Sequence, residues 1–270
     1  MNLDFTFRKY IELCDAMSNS DYTLLTVEKY CTLNNKPAKY IILRHDVDIK
    51  PERSLKIAQI EREFNINSTY YFRMTEEVYQ PALIKQIAEL GHEIGYHYEV
   101  LDKAKGDFSK AIEIFENELN ELREIHEIKT ICMHGNSRTR WDNRDLWKHY
   151  DFKEFGIIGE AYLSINFNNI TYFSDSARTW NPKYKMKDLN RSSKGKSVIN
   201  KTDDLIKLIK NEKHPYLYIL MHPDDWCDNF GIWLSNFVTR KFKNAGKRCL
   251  KAYRNFNQEK SLSSNMGKKL

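Results

Sequence analysis

Short apolar runs alternate with amphipathic stretches along most of the chain. Residues 40–43 form an apolar run that leads into polar residues, and Pro51 then suits the start of a helix whose apolar stripe extends to about residue 64. The succession of strand and helix recurs about seven times and ends with the apolar run at 216–221. This alternation is typical of a parallel sheet with crossover helices.

The same pattern predicts the elements between these two runs. Helices are expected at 79–90, 107–125, 143–149 and 202–211, and strands at 68–74, 92–97, 128–134, 156–163 and 170–174. A closed barrel and an open doubly wound sheet both fit this order. Because no glycine-rich phosphate loop follows the first strand, the nucleotide-binding open sheet is disfavoured. The predicted fold class is therefore α/β, a distorted (β/α)7-type barrel.

The chain is expected to divide into three parts. Residues 1–37 are predicted to form a helical N-terminal extension, residues 38–229 the barrel, and residues 230–270 a basic helical C-terminal tail. The tail holds ten Lys or Arg against one acid, Glu259, whereas the whole chain carries a net charge of +6. Such a tail is either a solvated helical face with a frayed end or a segment that contacts anionic lipid head groups, nucleic acid or an acidic partner.

Composition indicates a globular protein with a sizeable core, since 41% of the residues are hydrophobic and 13% are aromatic. The five cysteines are scattered and show no CxxC spacing, which favours free thiols in a reducing compartment. Charged residues interrupt positions 1–13, so no signal peptide is recognised there. Since no apolar run reaches the length of a membrane span, a cytoplasmic location is expected.

The sharpest chemical signal is Arg44-His45-Asp46-Val47-Asp48, at the end of an apolar strand. Residues at i and i+2 of a strand project to the same side, so Asp46 and Asp48 are expected to lie together. Two crowded carboxylates repel unless they share a cation or a proton. One reading is a metal site in which one aspartate is a ligand and the other a base. The other is a strand that exits into solvent with both aspartates hydrated.

Three histidines also fall at the ends of predicted strands: His97, His134 and His222. A single histidine at such a place is more often a hydrogen-bonded core or rim residue. In a parallel sheet, however, all three would meet the aspartates at one rim, which is the arrangement of a mononuclear zinc site with an acid–base pair.

These motifs resemble those of the polysaccharide deacetylases, carbohydrate esterase family 4, over roughly residues 38–225. The similarity is carried by Arg-His-Asp-Val-Asp at 44–48, by Gly-His-Glu-Ile-Gly-Tyr-His at 91–97 and by Leu-Met-His at 220–222. Within the family, the members whose first motif reads Arg-His-Asp-Val-Asp are the most similar.

The resemblance implies a role for each matching residue. Asp46 would be the catalytic base, and Asp48 and His97 would bind the metal. His222 would act as the general acid. Asp-Ser-Ala-Arg-Thr-Trp at 175–180 loosely matches a groove-lining motif.

Two departures from the family pattern change the expected site. The family's second metal histidine falls on Leu101, so the third ligand is expected to be His134, with Glu99 as the second candidate. The family's arginine motif near residue 130 is not recognisable, and Arg44 or Arg138 would orient the base instead.

Further residues are expected either to contact the substrate or to contact the catalytic and metal-binding residues and hold them in place: Arg44, His45, Glu99, Asp175, Arg178 and Trp180. Several aromatic residues would suit either stacking on sugar rings or the core: Tyr96, Tyr98, Trp141, Trp180 and Trp226.

The function implied by the resemblance is a metal-dependent hydrolase of a C–N amide bond. It would use one divalent metal, with zinc expected, and would deacetylate an N-acetylated sugar or polysaccharide precursor of surface glycans. Without a recognised export signal, the expected substrate is an acetamido-sugar on a nucleotide or lipid carrier, and the basic tail would contact an anionic surface. The alternative is a non-catalytic glycan-binding or scaffolding barrel with a degenerate metal site.

Overall fold

A computed structural model describes residues 3–136, 139, 141–176, 178–180 and 199–239. The strands are β1 Thr23–Leu25, β2 Tyr40–Val47, β3 Thr69–Phe72, β4 Glu93–Tyr98, β5 Thr130–Met133, β6 Gly159–Glu160, β7 Thr171–Ser174 and β8 Tyr216–Met221. Their order is β6-β5-β4-β3-β2-β8-β7, with β1 beside the first half of β2, and all the pairings are parallel. The sheet curls into a half-barrel with helices outside, so the predicted α/β barrel-type fold is confirmed.

The helices follow the strands as the sequence pattern predicts. They are α1 Phe7–Ser18, α2 Val27–Thr32, α3 Pro51–Glu63, α4 Pro81–Glu89, α5 Val100–Lys103, α6 Phe108–Arg123 and α7 Thr202–Asn211. Proline occupies the first turn of α3 and α4, where its missing N–H costs no helical hydrogen bond. Short 3-10 helices lie at Asn143–Lys148, Phe152–Phe155 and Pro223–Asp225, and residues 230–239 are helical.

Strand β2 lies at the centre of the sheet and is buried along its whole length. Its side chains alternate between the two faces. Arg44 and Asp46 project into the interior of the half-barrel, where Arg44 contacts Tyr218 of β8. His45 projects outward and bonds to Glu61 of α3, with 2.8 Å between His45 Nε2 and Glu61 Oε1.

Two predicted elements differ from the structure. The N-terminal extension is not wholly helical, because Thr23–Leu25 forms β1 and pairs with residues 40–42, whose backbone offers it a free edge. The strand expected at 156–163 is reduced to Gly159–Glu160. The carboxylate of Glu160 accepts hydrogen bonds from the backbone N–H groups of Tyr162 and Leu163, which turns the chain away from the sheet.

The described part of the chain ends at residue 239, so the basic residues of the predicted tail lie outside it. Four cysteines, at positions 14, 31, 132 and 227, are free thiols, and Cys249 falls outside the described residues. Among the described helices, none combines the length and the apolar character that a membrane span requires.

Candidate metal centre

The carboxyl ends of the strands meet at one mouth of the half-barrel, and each carries a polar residue. Asp48 follows β2, His134 follows β5 and His222 follows β8, while His97 lies near the end of β4. In a parallel sheet these ends share one edge, which is where β/α barrels place their sites. The structure thus brings the predicted aspartates and histidines together.

Asp48 lies between two imidazole rings. Its Oδ1 atom is 3.4 Å from His97 Nε2 and 3.7 Å from His134 Nε2. The two rings are nearly perpendicular, with centroids 5.3 Å apart. Atoms that bind one tetrahedral zinc ion at about 2 Å are roughly 3.3 Å from one another. Each histidine nitrogen is therefore close enough to Asp48 Oδ1 for that pair of side chains to share one ion.

Both histidines direct Nε2 towards Asp48 because their Nδ1 atoms are already used. His97 Nδ1 is 3.0 Å from the carbonyl oxygen of Cys132, which can only accept, so Nδ1 carries the proton. His134 Nδ1 donates in the same way to Glu99 Oε2, at 2.9 Å. Metal-binding histidines are typically held by such a bond on the opposite ring nitrogen. The lone pair of each Nε2 is left facing the same space.

The two aspartates carry buried oxygen atoms that the protein does not satisfy. Asp46 Oδ1 and Asp48 Oδ1 accept no hydrogen bond within the described part of the chain. Burial alone would raise the pKa of Asp48, but the nearby charges of His134, His222 and His97 hold it well below its usual value. An ionised carboxylate with an unsatisfied buried oxygen is costly without a cation nearby. The donor set therefore fits a divalent metal.

A second group of donors overlaps the first. Ligand atoms of Asp46, His97 and Cys132 lie within 4.8 Å of one another, and all three residues are buried. Cys132 pairs with His97 across β4 and β5, so both side chains point into the half-barrel. The sequence analysis did not single out Cys132.

Arg44 lies directly beneath Asp46 and is fully buried. Its Nη2 atom donates to Asp46 Oδ2 at 3.0 Å and to the Tyr162 hydroxyl at 2.6 Å, and Nη1 donates to the Tyr218 hydroxyl at 3.1 Å. Burial would lower the pKa of Arg44, but the charge of Asp46 keeps it well above its usual value. The guanidinium therefore stays charged and holds Asp46 in place. Arg138, the other expected partner of Asp46, lies outside the described residues.

His222 is held by Asp175, which directly follows β7. Its Nδ1 is 2.6 Å from Asp175 Oδ1, and its backbone N–H also donates to this carboxylate. Trp226 Nε1 donates to Asp175 Oδ2 at 2.8 Å. Burial would lower the pKa of His222. The hydrogen bond and charge of Asp175 outweigh it, with help from Asp48 and Asp46, and raise the pKa to about 10. Asp175 thus fixes the orientation of the His222 ring and favours its charged form.

Glu99, the second candidate for the third ligand, lies behind His134. Both of its oxygens accept from Arg73 Nη2, at 2.9 and 2.8 Å, and Oε2 also accepts from His134 Nδ1. Burial would raise the pKa of Glu99, but His134 and Arg73 lower it to about 2. Of the two candidates, His134 is the one whose free nitrogen faces Asp48.

Three of the residues expected to contact the substrate or to support the site make other contacts. Trp180 is only 1% exposed, and its Nε1 donates to Thr202 Oγ1, so its ring fills the core. Arg178 donates to the backbone carbonyl of Trp233 at 2.7 Å and lies over its ring, because residues 230–239 pack on this side of the molecule. His45 faces the helices, away from the mouth.

The aromatic residues offered for sugar stacking are mostly core residues. Tyr96, Tyr98 and Trp226 are fully buried, whereas Trp141 is half-buried. Of this group, Trp141 is the one that is not fully buried, and its Nε1 atom donates to Asp102 Oδ1.

Sequence reasoning missed Arg73, and it offered Asp175 without identifying His222 as the residue that it holds. Both directly follow a strand, β3 and β7 respectively, as Asp48, His134 and His222 do. The rule that selected the histidines would have selected these two residues if it had been applied to every strand end.

No protein-family model and no curated protein matches this sequence. Solved structures with a similar chain course include a family 4 carbohydrate esterase from Bacillus anthracis, with 15% identity, a TM-score of 0.42, and 86% of this chain and 85% of that chain covered. The family 4 carbohydrate esterase PdaA of Bacillus subtilis shares 17% identity, with a TM-score of 0.42 and coverage of 80% and 82%. A family 4 pseudoenzyme from Bacillus anthracis shares 16%, with a TM-score of 0.39 and coverage of 77% and 63%. At this level of similarity, the activities of these proteins do not carry over to this chain.

Proposed function

We propose that this protein is a metal-dependent hydrolase of a C–N amide bond that removes the acetyl group from an acetamido-sugar. The observation that carries the proposal is the position of Asp48 Oδ1, which lies 3.4 and 3.7 Å from two imidazole nitrogens whose lone pairs face it. Two histidines and a carboxylate, with a position left open, are a common ligand set of catalytic zinc.

Asp48, His97 and His134 would hold the ion. The overlapping set of Asp46, His97 and Cys132 is less suitable, because the buried Arg44 guanidinium already neutralises Asp46 at 3.0 Å and would repel a cation there. Asp48 and His134 also keep 27% and 19% of their side chains exposed, which leaves access for a substrate. When bound, the metal supplies Lewis acidity that polarises the acetamide carbonyl and makes water a better nucleophile.

Asp46 is proposed to take the proton from the attacking water. Arg44 fixes its carboxylate and leaves Oδ1 without a hydrogen bond from the described residues. His222 is proposed to give its proton to the leaving nitrogen as the C–N bond breaks, so that acetate and a free amine leave. Asp175 holds the His222 ring through Nδ1, so the proton on Nε2 is the one that faces the mouth.

The proposed substrate is an acetamido-sugar on a nucleotide or lipid carrier, as a cytoplasmic intermediate of surface-glycan assembly. Asp48, His134 and His222 keep part of their side chains exposed at the mouth, so a ligand can reach them. Trp141, which follows His134 by seven residues in the sequence and is half-buried, would offer a ring for stacking.

The C-terminal region is proposed to contact an anionic lipid surface. The helix at 230–239 leaves several large apolar side chains exposed: Phe230, Ile232, Leu234, Phe237 and Val238. Ten basic residues and a single acid follow it in the sequence. An apolar helical stripe combined with basic residues is the pattern of segments that bind at a membrane surface. Co-sedimentation with anionic vesicles, but not with neutral ones, and its loss in Phe230→Ser are expected. Equal binding to both vesicle types contradicts this part of the proposal.

Acetate release from a panel of acetamido-sugar nucleotides tests the proposed activity most directly. The wild-type protein, loaded with zinc, is expected to release acetate from at least one member. Asp46→Asn, which keeps the shape of the side chain, is the matched control and is expected to be inactive with its zinc retained. Activity in neither protein across nucleotide-linked, lipid-linked and polymeric sugars contradicts the proposal and favours the non-catalytic barrel.

A further inference from the structure

A chain of contacts joins Asp48 to His134 around the outside of the proposed metal site. Arg73, directly after β3, donates from Nη1 to the backbone carbonyl of Asp48 at 3.0 Å. Its other end forms a two-pronged contact with Glu99, from Nη2 to Oε1 and Oε2 at 2.9 and 2.8 Å. Glu99 Oε2 in turn accepts from His134 Nδ1 at 2.9 Å. One arginine therefore connects the residue after β2 with the residue after β5.

The backbone of His134 is fixed from its other side. Asn143 Nδ2 donates to the carbonyl oxygen of His134 at 2.9 Å, and Asn143 Oδ1 accepts from the backbone N–H of Leu101 at 2.9 Å. The N–H of His134 donates to the carbonyl oxygen of Tyr98 at 2.8 Å. With the backbone held in this way, the orientation of the imidazole depends on the hydrogen bond from Nδ1 to Glu99.

Position 101 explains why such support is needed. Leu101, where the resemblance places a histidine, is fully buried in α5 and offers no donor atom. A third ligand is available at the end of the next strand, where His134 is 19% exposed. A partly exposed imidazole can rotate unless a hydrogen bond selects one ring orientation and one tautomer.

We propose that Arg73 and Glu99 are a positioning pair that makes His134 a metal ligand in place of the missing residue-101 histidine. The inference rests on the proposed metal site and adds the residues that give the site its third ligand. Glu99 keeps the proton on Nδ1, which leaves the Nε2 lone pair for the ion, and Arg73 keeps the Glu99 carboxylate in the geometry that His134 requires.

Zinc affinity of the chelator-treated protein, measured by competition with a chromophoric chelator, tests the pair without any assay of activity. Glu99→Gln and Arg73→Met are each expected to weaken binding by roughly 10- to 100-fold, the usual effect of losing such a partner. Arg144→Met is the matched control, since Arg144 also contacts a carboxylate through two nitrogens, on Asp142, and touches none of the three donors. Its affinity is expected to equal that of the wild type.

Two results separate this inference from the proposed function. If the wild type and Asp48→Asn bind zinc equally, the metal site itself is wrong. If binding depends on Asp48 but Glu99→Gln and Arg73→Met bind as tightly as the wild type, only the positioning pair is wrong.

A measurement on the unaltered protein covers the case in which a variant fails to fold. Long-range ¹H–¹⁵N spectra of zinc-loaded wild type are expected to show His134 with a proton on Nδ1 and none on Nε2. The opposite tautomer would overturn the inference, because Glu99 could then not accept from Nδ1.

Discussion

His134 directs its Nε2 atom to within 3.7 Å of Asp48 Oδ1, although the two residues follow strands β5 and β2, with β3 and β4 between them. The approach is possible because the sheet curls and because both residues lie just past the carboxyl end of their strand. His97, from β4, completes the group at 3.4 Å from the same oxygen. A single carboxylate oxygen is thus shared by two imidazoles that come from different strands.

Asp46→Asn is expected to reduce kcat by about 10²- to 10⁴-fold, the usual contribution of a general base. The amide cannot take up the proton from water, yet it keeps the size of the side chain and can still accept from Arg44. Zinc content measured by elemental analysis should stay at the wild-type level. A variant that loses its zinc together with its activity would instead make Asp46 a ligand.

His222 in the metal-free protein is expected to titrate near pH 10, because Asp175 and the two aspartates favour its charged form. Asp175→Asn removes the largest favourable contribution, so the pKa of His222 should fall towards the ordinary value of 6.5. NMR titration of the His222 ring protons measures both values. A pKa near 6.5 in the wild type would show that Asp175 does not stabilise the imidazolium.

The buried Glu61 carboxylate predicts an acid-dependent loss of stability. It accepts from the hydroxyls of Tyr10, Ser68 and Tyr70 and contacts His45, all in the region between the sheet and α3. Burial would raise its pKa, but the charge and hydrogen bond of His45 lower it to about 2.

Since the pKa of Glu61 in the folded protein lies below its ordinary value of 4.5, its contribution is complete above pH 4.5 and is lost as the pH falls towards 2. The contribution is about 3 kcal/mol of the free energy of unfolding. Urea unfolding of Glu61→Gln should give a lower free energy of unfolding at neutral pH and a weaker decrease below pH 4.5. If the free energy of unfolding of Glu61→Gln falls below pH 4.5 as steeply as that of the wild type, Glu61 is not the group responsible.

Gly95→Ala is expected to disturb the proposed metal centre through strand β4, which also carries His97. A Cβ atom at this position would lie 2.3 Å from Cε1 of Tyr71, which is fully buried and hydrogen-bonded to Thr130. The tyrosine or β4 must therefore move, at a cost of about 1 to 3 kcal/mol.

Because His97 lies two residues further along the same strand, zinc affinity should fall together with the melting temperature. Gly231→Ala is the control, since its nearest contact would be an ordinary one at 3.4 Å. Equal melting temperatures for both variants and the wild type would rule out the proposed clash.

The sheet and the site residues could be predicted because both depend on local patterns. Apolar runs of four to eight residues followed by a polar residue mark the strand ends of a parallel sheet. Asp46, Asp48 and His97 were recognisable from their place at such ends, and the structure brings them together. The roles assigned to them remain predictions.

Other features depend on packing that no local pattern reveals. Trp180 and Arg178 occur in a segment that resembles a groove motif, but one fills the core and the other packs on the ring of Trp233. β1 was missed because a three-residue strand has little pattern of its own and forms by pairing with residues 40–42 of β2. Arg73 follows a strand end as the predicted residues do, but its connection to the proposed metal site depends on its contact with Glu99, which the sequence does not reveal.

Anomalous diffraction from zinc-loaded crystals would locate the bound ion itself. One anomalous peak is expected, at about 2.0–2.2 Å from Asp48 Oδ1, His97 Nε2 and His134 Nε2. A peak bound instead by Asp46, His97 and Cys132, or no peak at the mouth after zinc loading, would contradict the proposed metal site.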